Sequence, residues 1–117
     1  MKVFGYENIL MVDVDETLIS KIDPSDKNGG FMTFEYGEAL EFFKPCNNNI
    51  ALMKHHKKTR GYGIIVWSAN GKEWAEKVVK RLKLQDYVDI IMTKPVKYLD
   101  DKPVQEWMPS QIYLGTD

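Results

Sequence analysis

The apolar residues of this chain come in short unbroken runs, and that pattern limits its architecture more than any other feature. The runs cover residues 9–12 (ILMV), 63–67 (GIIVW), 88–92 (VDIIM), 96–99 (VKYL) and 111–114 (QIYL). A strand apolar on both sides needs cover on both faces, as in a parallel sheet between helices, whereas a sheet with one wet face alternates. Between two of the runs, GKEWAEKVVKRLKL sets Trp74, Ala75, Val78, Val79 and Leu82 on one helical face, with Glu73–Lys77 and Glu76–Lys80 as outward i,i+4 pairs. NIALMKHHKKTR predicts a second helix, with Asn47 to Asn49 as cap candidates and Lys and Arg at its carbonyl end before Gly61. Strand, helix, strand, helix, strand predicts an α/β fold with a parallel sheet.

Residues 18–45 interrupt that rhythm. The turn-rich PSDKNGG joins LISKI to FMTFEY, in which Met32, Phe34 and Tyr36 alternate with other positions, so a β-hairpin flap is predicted over about residues 18–37. At 117 residues the chain has room for one domain, 1–117, and one core. A net charge of −1 gives no general attraction to nucleic acid, which leaves only a local basic patch for such a partner. No run approaches the length of a membrane span, so no membrane partner is expected. Cys46, the one cysteine, has no internal disulfide partner, and the first residues lack a secretory apolar segment, so a cytoplasmic location is expected. The adjacent His55 and His56 diverge by about 100° on a helix and do not converge on a zinc ion, so the basic stretch around them reads as dipole complementation at a helix end.

The chemistry is concentrated where the first run ends, in DVDET. Carboxylates at a strand tip either face water or hold something cationic, and the carboxyl ends of parallel strands are where ligands sit in open α/β sheets. A D-x-D-x-T string arises by chance in a chain of this length only at about the per-cent level. Further along, IIVWSANG ends a second run on Ser68, followed by Ala69 and Asn70; TKP supplies Lys94; YLDD supplies Asp100 and Asp101. Taken singly, Ser68 reads equally well as a helix cap, Lys94 as a surface lysine, and the late acids as a solvated loop.

Together, in order and over nearly the whole chain, these residues resemble the haloacid dehalogenase (HAD) superfamily of phosphatases and phosphotransferases. In that family a strand-end Asp pair is followed by a strand ending in Ser or Thr, then a Lys, then one or two Asp. The resemblance implies a HAD-like Rossmannoid parallel sheet flanked by helices, and a phosphoric monoester hydrolase working through an aspartyl-phosphate. It implies Asp13 as nucleophile and Asp15 as acid/base. Thr17, Ser68, Ala69, Asn70 and Lys94 would bind phosphate, with Thr17 also tying the loop through its hydroxyl. Mg²⁺ would be held by Asp13, Asp15, Asp100 and Asp101. Lys97 competes with Lys94 for the lysine role, and either late acid can be the main ligand, with Asp100 favoured for following the apolar run directly. Glu16 departs from the glycine common at its position.

Neither interval between the motifs has room for a large cap domain, so an open site is expected. Such a site suits a macromolecular phosphate, a nucleic-acid end among them, or a site completed by self-association, with Lys21, Phe31 and Phe34 as contacts. The same residues also fit a non-catalytic phosphate-binding or regulatory protein of this fold. A receiver-type phosphoacceptor fits less well, because its acidic pair precedes the phosphorylated strand.

Overall fold

A computed structural model describes residues 5–23, 25, 32–36 and 39–117. The elements run β1 (Ile9–Asp13), β2 (Ile19–Lys21), β3 (Met32–Tyr36), β4 (Ala39–Pro45), α1 (Asn47–Lys58), β5 (Gly63–Ser68), α2 (Lys72–Arg81), β6 (Ile90–Thr93) and the short α3 (Val104–Trp107), with a 3₁₀ turn at Gln85–Tyr87. β1, β5 and β6 form a parallel sheet in that order, flanked by helices. Its register sets Asp13 opposite Trp67 and Ser68 opposite Thr93, which aligns the carboxyl ends of all three strands. Val12, Ile64 and Val66 are buried in this sheet, and Trp74, Ala75, Val78 and Val79 of α2, Met53 of α1, and Phe34 and Phe43 of the antiparallel strands pack in the same core. Each fully buried aliphatic side chain contributes about 1.5–3 kcal/mol. No helix among the described residues is long and apolar enough to cross a membrane.

Three expectations are corrected. Among the described residues LISKI and FMTFEY do not pair with each other as a hairpin. Instead β2 and β3 are the two edges of an antiparallel sheet whose centre is β4, so the paired neighbours are β3 and β4. Most of PSDKNGG, together with Phe31, lies outside the described residues. The runs at 96–99 and 111–114 make no strand either: Val96 is 94% exposed, and Leu99, Ile112 and Leu114 are exposed as well. Proline explains the first failure, since VKYLDDK lies between Pro95 and Pro103, neither of which has an N–H for a ladder. Third, Cys46 occupies the N-cap position of α1 without a side-chain cap bond, and the three asparagines lie inside the first turn.

The basic end of α1 is consumed within the molecule. Lys57 Nζ donates to both carboxylate oxygens of Asp89, at 3.0 and 2.9 Å, and to the Tyr6 hydroxyl. Lys54 and Lys58 lie over the Tyr87 ring and Arg60 over Tyr62. His56 is buried with Nδ1 2.9 Å from the Leu52 carbonyl. On α2 the ion pair present is Lys72–Glu76 at 3.7 Å, a position earlier than the two pairs expected from the sequence.

Candidate active site

The site begins with the way the chain leaves β1. Val14 is fully buried, and its carbonyl accepts from the N–H groups of Thr17, Leu18 and Ile19 at 3.2, 2.9 and 3.3 Å. This tight reversal holds Glu16 at φ +62°, the left-handed region that costs a side-chain-bearing residue about 1–2 kcal/mol. The offset is local: Glu16 Oε2 accepts from Ser20 Oγ at 2.9 Å, and the Glu16 carbonyl accepts from the Tyr113 hydroxyl at 2.8 Å. A glycine-favouring conformation is thus kept by a residue whose carboxylate serves as its own brace.

Asp13 ends β1 and lies with Oδ1 4.0 Å from Lys94 Nζ. Lys94 follows β6 directly, and its N–H donates to the Ser68 carbonyl at 2.8 Å, so β5 fixes the backbone that carries the lysine. Of the two competing lysines, Lys94 is the one the fold brings to Asp13; Lys97 lies on the exposed stretch beyond it. Asp15 receives two hydrogen bonds, from Asn70 Nδ2 to Oδ2 at 2.9 Å and from Trp74 Nε1 to Oδ1 at 3.2 Å. Sequence reasoning placed Trp74 only on the core face of a helix. Its indole is at once part of that core and a support for the second acid.

Ser68 is fully buried, and its Oγ accepts from the Asn70 N–H at 3.0 Å. In this arrangement the hydroxyl shapes the turn between β5 and α2, whose exposed residues are Ala69 and Asn70, while Gly71, at φ +104°, takes the N-cap position. Thr17 is tied through its carbonyl, which accepts from Asn49 Nδ2 at 3.0 Å, in place of the hydroxyl bond expected. Asp100 and Asp101 are exposed, and Asp100 Oδ1 accepts from the Lys102 N–H at 3.0 Å. Among the described residues, no three or more His, Cys, Asp or Glu side chains gather as a metal-binding group.

A cavity of about 490 Å³ opens beside Asp13, Thr17 and Lys94, within the roughly 300–1,000 Å³ typical of small-molecule sites. One wall is β1 with Leu52 and Met53 of α1; the other is the C-terminal segment from Val104 to Tyr113. Asn49 pins that segment. Its Oδ1 accepts from the Leu114 N–H at 2.9 Å, and its Nδ2 donates to the carbonyls of Thr17 and Gly115. Cover that the motif intervals have no room for therefore comes from the end of the described chain. Of the residues expected to touch a large substrate, Phe34 is buried and Lys21 is paired with Glu41 at 2.7 Å.

Cys46 is fully buried. Burial, with the nearby charges of Asp117 and Glu16, pushes its thiol up to about 11, so it offers no thiolate nucleophile at neutral pH. Comparisons of the chain with family models, with curated proteins and with solved structures found no match.

Proposed function

We propose that this protein is a Mg²⁺-dependent phosphomonoester hydrolase of HAD type, acting through an aspartyl-phosphate on Asp13. The observation that carries the reading is the 4.0 Å approach of Asp13 and Lys94 at the carboxyl ends of the parallel strands, beside a cavity of ligand size. A half-buried carboxylate next to a cation carried on an anchored backbone is the pairing that attack on a phosphate dianion needs, since the lysine offsets charge that would otherwise repel the nucleophile.

In the reaction, an Asp13 oxygen attacks phosphorus as the bond from phosphorus to the leaving oxygen breaks, and Asp15 gives its proton to that oxygen. Water then attacks phosphorus, Asp15 takes its proton, and the bond to Asp13 breaks to release inorganic phosphate. Asn70 and Trp74 hold Asp15 in place for both transfers. The donors suit Mg²⁺ in kind, because Asp13 presents hard carboxylate oxygens to the cavity and Mg²⁺ commonly needs only one or two carboxylates besides water and substrate phosphate. Asp13 and the Asp15 carbonyl would hold it, and Asp100 or Asp101 would have to come in from the exposed stretch after Pro95 to add a further acid. When bound, the ion draws charge from the phosphate oxygens.

The test is phosphate release from a broad phosphoester panel with Mg²⁺. Asp13→Asn is expected to lose at least about 10³-fold in turnover while keeping its circular dichroism. Chelation should abolish activity, and added Mg²⁺ should restore it. A folded Asp13→Asn protein with wild-type turnover overturns the mechanism.

A further inference from the structure

The cavity has a polar end and an apolar body. Asp13, Thr17 and Lys94 stand at one end, while Leu10, Leu52, Trp67, Met108 and Ile112 supply walls from four parts of the chain. Trp67 links the two, because Lys94 Nζ lies 5.8 Å from the centroid of its ring. A phosphate alone fills a small part of 490 Å³. What remains is bounded by more apolar than polar surface: Asn49 and Tyr113 line it too but are engaged in hydrogen bonds, with Ser110 and Gln111 beside them, so an apolar body finds more to pack against there than a polyhydroxylated one.

We infer that the cavity receives the apolar body, aromatic or aliphatic, of a phosphomonoester whose phosphate meets Asp13 and Lys94. This substrate class rests on the hydrolase reading above for its turnover, but the binding it requires stands on the cavity. Met108 and Ile112 set the preference from the C-terminal segment. That segment is held over the cavity by the Asn49 bonds and by the Tyr113 hydroxyl on the Glu16 carbonyl. The main-chain brace behind the acidic pair and the wall that selects the substrate are therefore joined by a hydrogen bond. A macromolecular phosphate would instead have to displace this segment.

The experiment compares equilibrium binding of 1-naphthylmethylphosphonate with that of methylphosphonate by calorimetry, in Mg²⁺, for the wild-type chain and for Ile112→Asp and Met108→Asp. Both variants sit at exposed positions, so folding is checked by circular dichroism. The naphthyl ligand is expected to bind about tenfold or more tightly than the methyl one. Either aspartate should remove most of that ratio by setting a charge against the apolar body. Equal affinity for the two ligands in the wild-type chain, or a ratio unchanged in both variants, overturns the inference. Hydrolysis of 1-naphthyl phosphate and of a 5′-phosphorylated oligonucleotide is measured in parallel. The binding preference without release from any ester upholds the cavity's role and overturns the hydrolase reading. Release that is faster from the oligonucleotide, with no binding preference, leaves the hydrolase and overturns the cavity's role.

Discussion

The two three-stranded sheets divide the work of the molecule unevenly. The parallel sheet carries Asp13 and Ser68 on strand ends, with Lys94 directly after β6. The antiparallel sheet carries none of the expected chemistry, yet it docks against α2 through Phe34 and Phe43, whose rings lie 5.1 and 5.7 Å from Trp74. Trp74 then donates to Asp15. The antiparallel sheet is therefore linked to the second acid of the parallel sheet's site through the Trp74 indole, which belongs to neither sheet. Positioning of this kind matters because a carboxylate displaced by an ångström loses much of its value in proton transfer.

Substitutions separate the two roles. After Asp13→Asn, the largest effect is expected from Asp15→Asn, which removes the proposed proton donor beside the parallel sheet. It should lower kcat by about 10²–10³-fold and flatten the pH–rate profile while leaving thermal stability near wild type. An unchanged profile would remove Asp15 from the reaction. Phe34→Ala tests the other sheet. Loss of a buried ring that packs edge-on against both Phe43 and Trp74 should destabilise by about 3–5 kcal/mol, read from denaturant unfolding. If the antiparallel sheet is only support, the fraction still folded should keep turnover within about tenfold of wild type.

Trp74→Phe sharpens the comparison at the joint. It keeps a ring in the aromatic cluster and removes the Nε1 donor, so stability should fall by about 1–2 kcal/mol. The loss of turnover should appear in kcat more than in KM, because Asp15 is left less well oriented. A variant with wild-type kcat would show that Asn70 alone holds the acid.

The smallest effect is expected far from both acids, at the Lys57–Asp89–Tyr6 cluster. Burial works against charge on each partner and is the largest single influence. The hydrogen bonds outweigh it, from Ile64 N–H, Lys57 and Tyr6 for Asp89, and from Tyr6 and Asp89 for Lys57. Asp89 is therefore held below the ordinary carboxylate value and Lys57 above the ordinary lysine value. The stability from Asp89 is present above about pH 4 and is lost as pH falls through its lowered value. That from Lys57 is complete below about pH 10 and is lost as pH rises through its raised value. Between those limits the cluster should contribute a constant amount, and Asp89→Asn should make the acid limb of a stability–pH curve shallower. An unaltered acid limb would show that the cluster adds nothing.

What the sequence reveals follows the range of the interactions concerned. β1 and β5 are legible because a strand covered on both faces has to be apolar throughout, and their polar ends mark where the cover stops. In the sequence Lys94 is legible only as one of two lysines; the hydrogen bond from its N–H to the Ser68 carbonyl places it where its Nζ comes to Asp13. β4 was missed because ALEFFKP neither alternates nor stays apolar, and its outer residues Ala39 and Leu40 are exposed. QIYL was read as a strand because apolarity alone does not distinguish a ladder from a segment laid across a cavity. Asn49 is the clearest case. Locally it is one of three cap candidates, and its actual partners are Thr17, Leu114 and Gly115, which no local pattern connects to it.

The C-terminal segment also bears on the order in which the parts of the site are made. Met108 and Ile112, which wall the cavity, emerge roughly 100 residues after Asp13, about 5–20 s later at ordinary rates of synthesis. The parallel sheet has all of its strands once Thr93 is made, before that wall exists. The strands that carry the acids are therefore made before the segment that walls the cavity beside them.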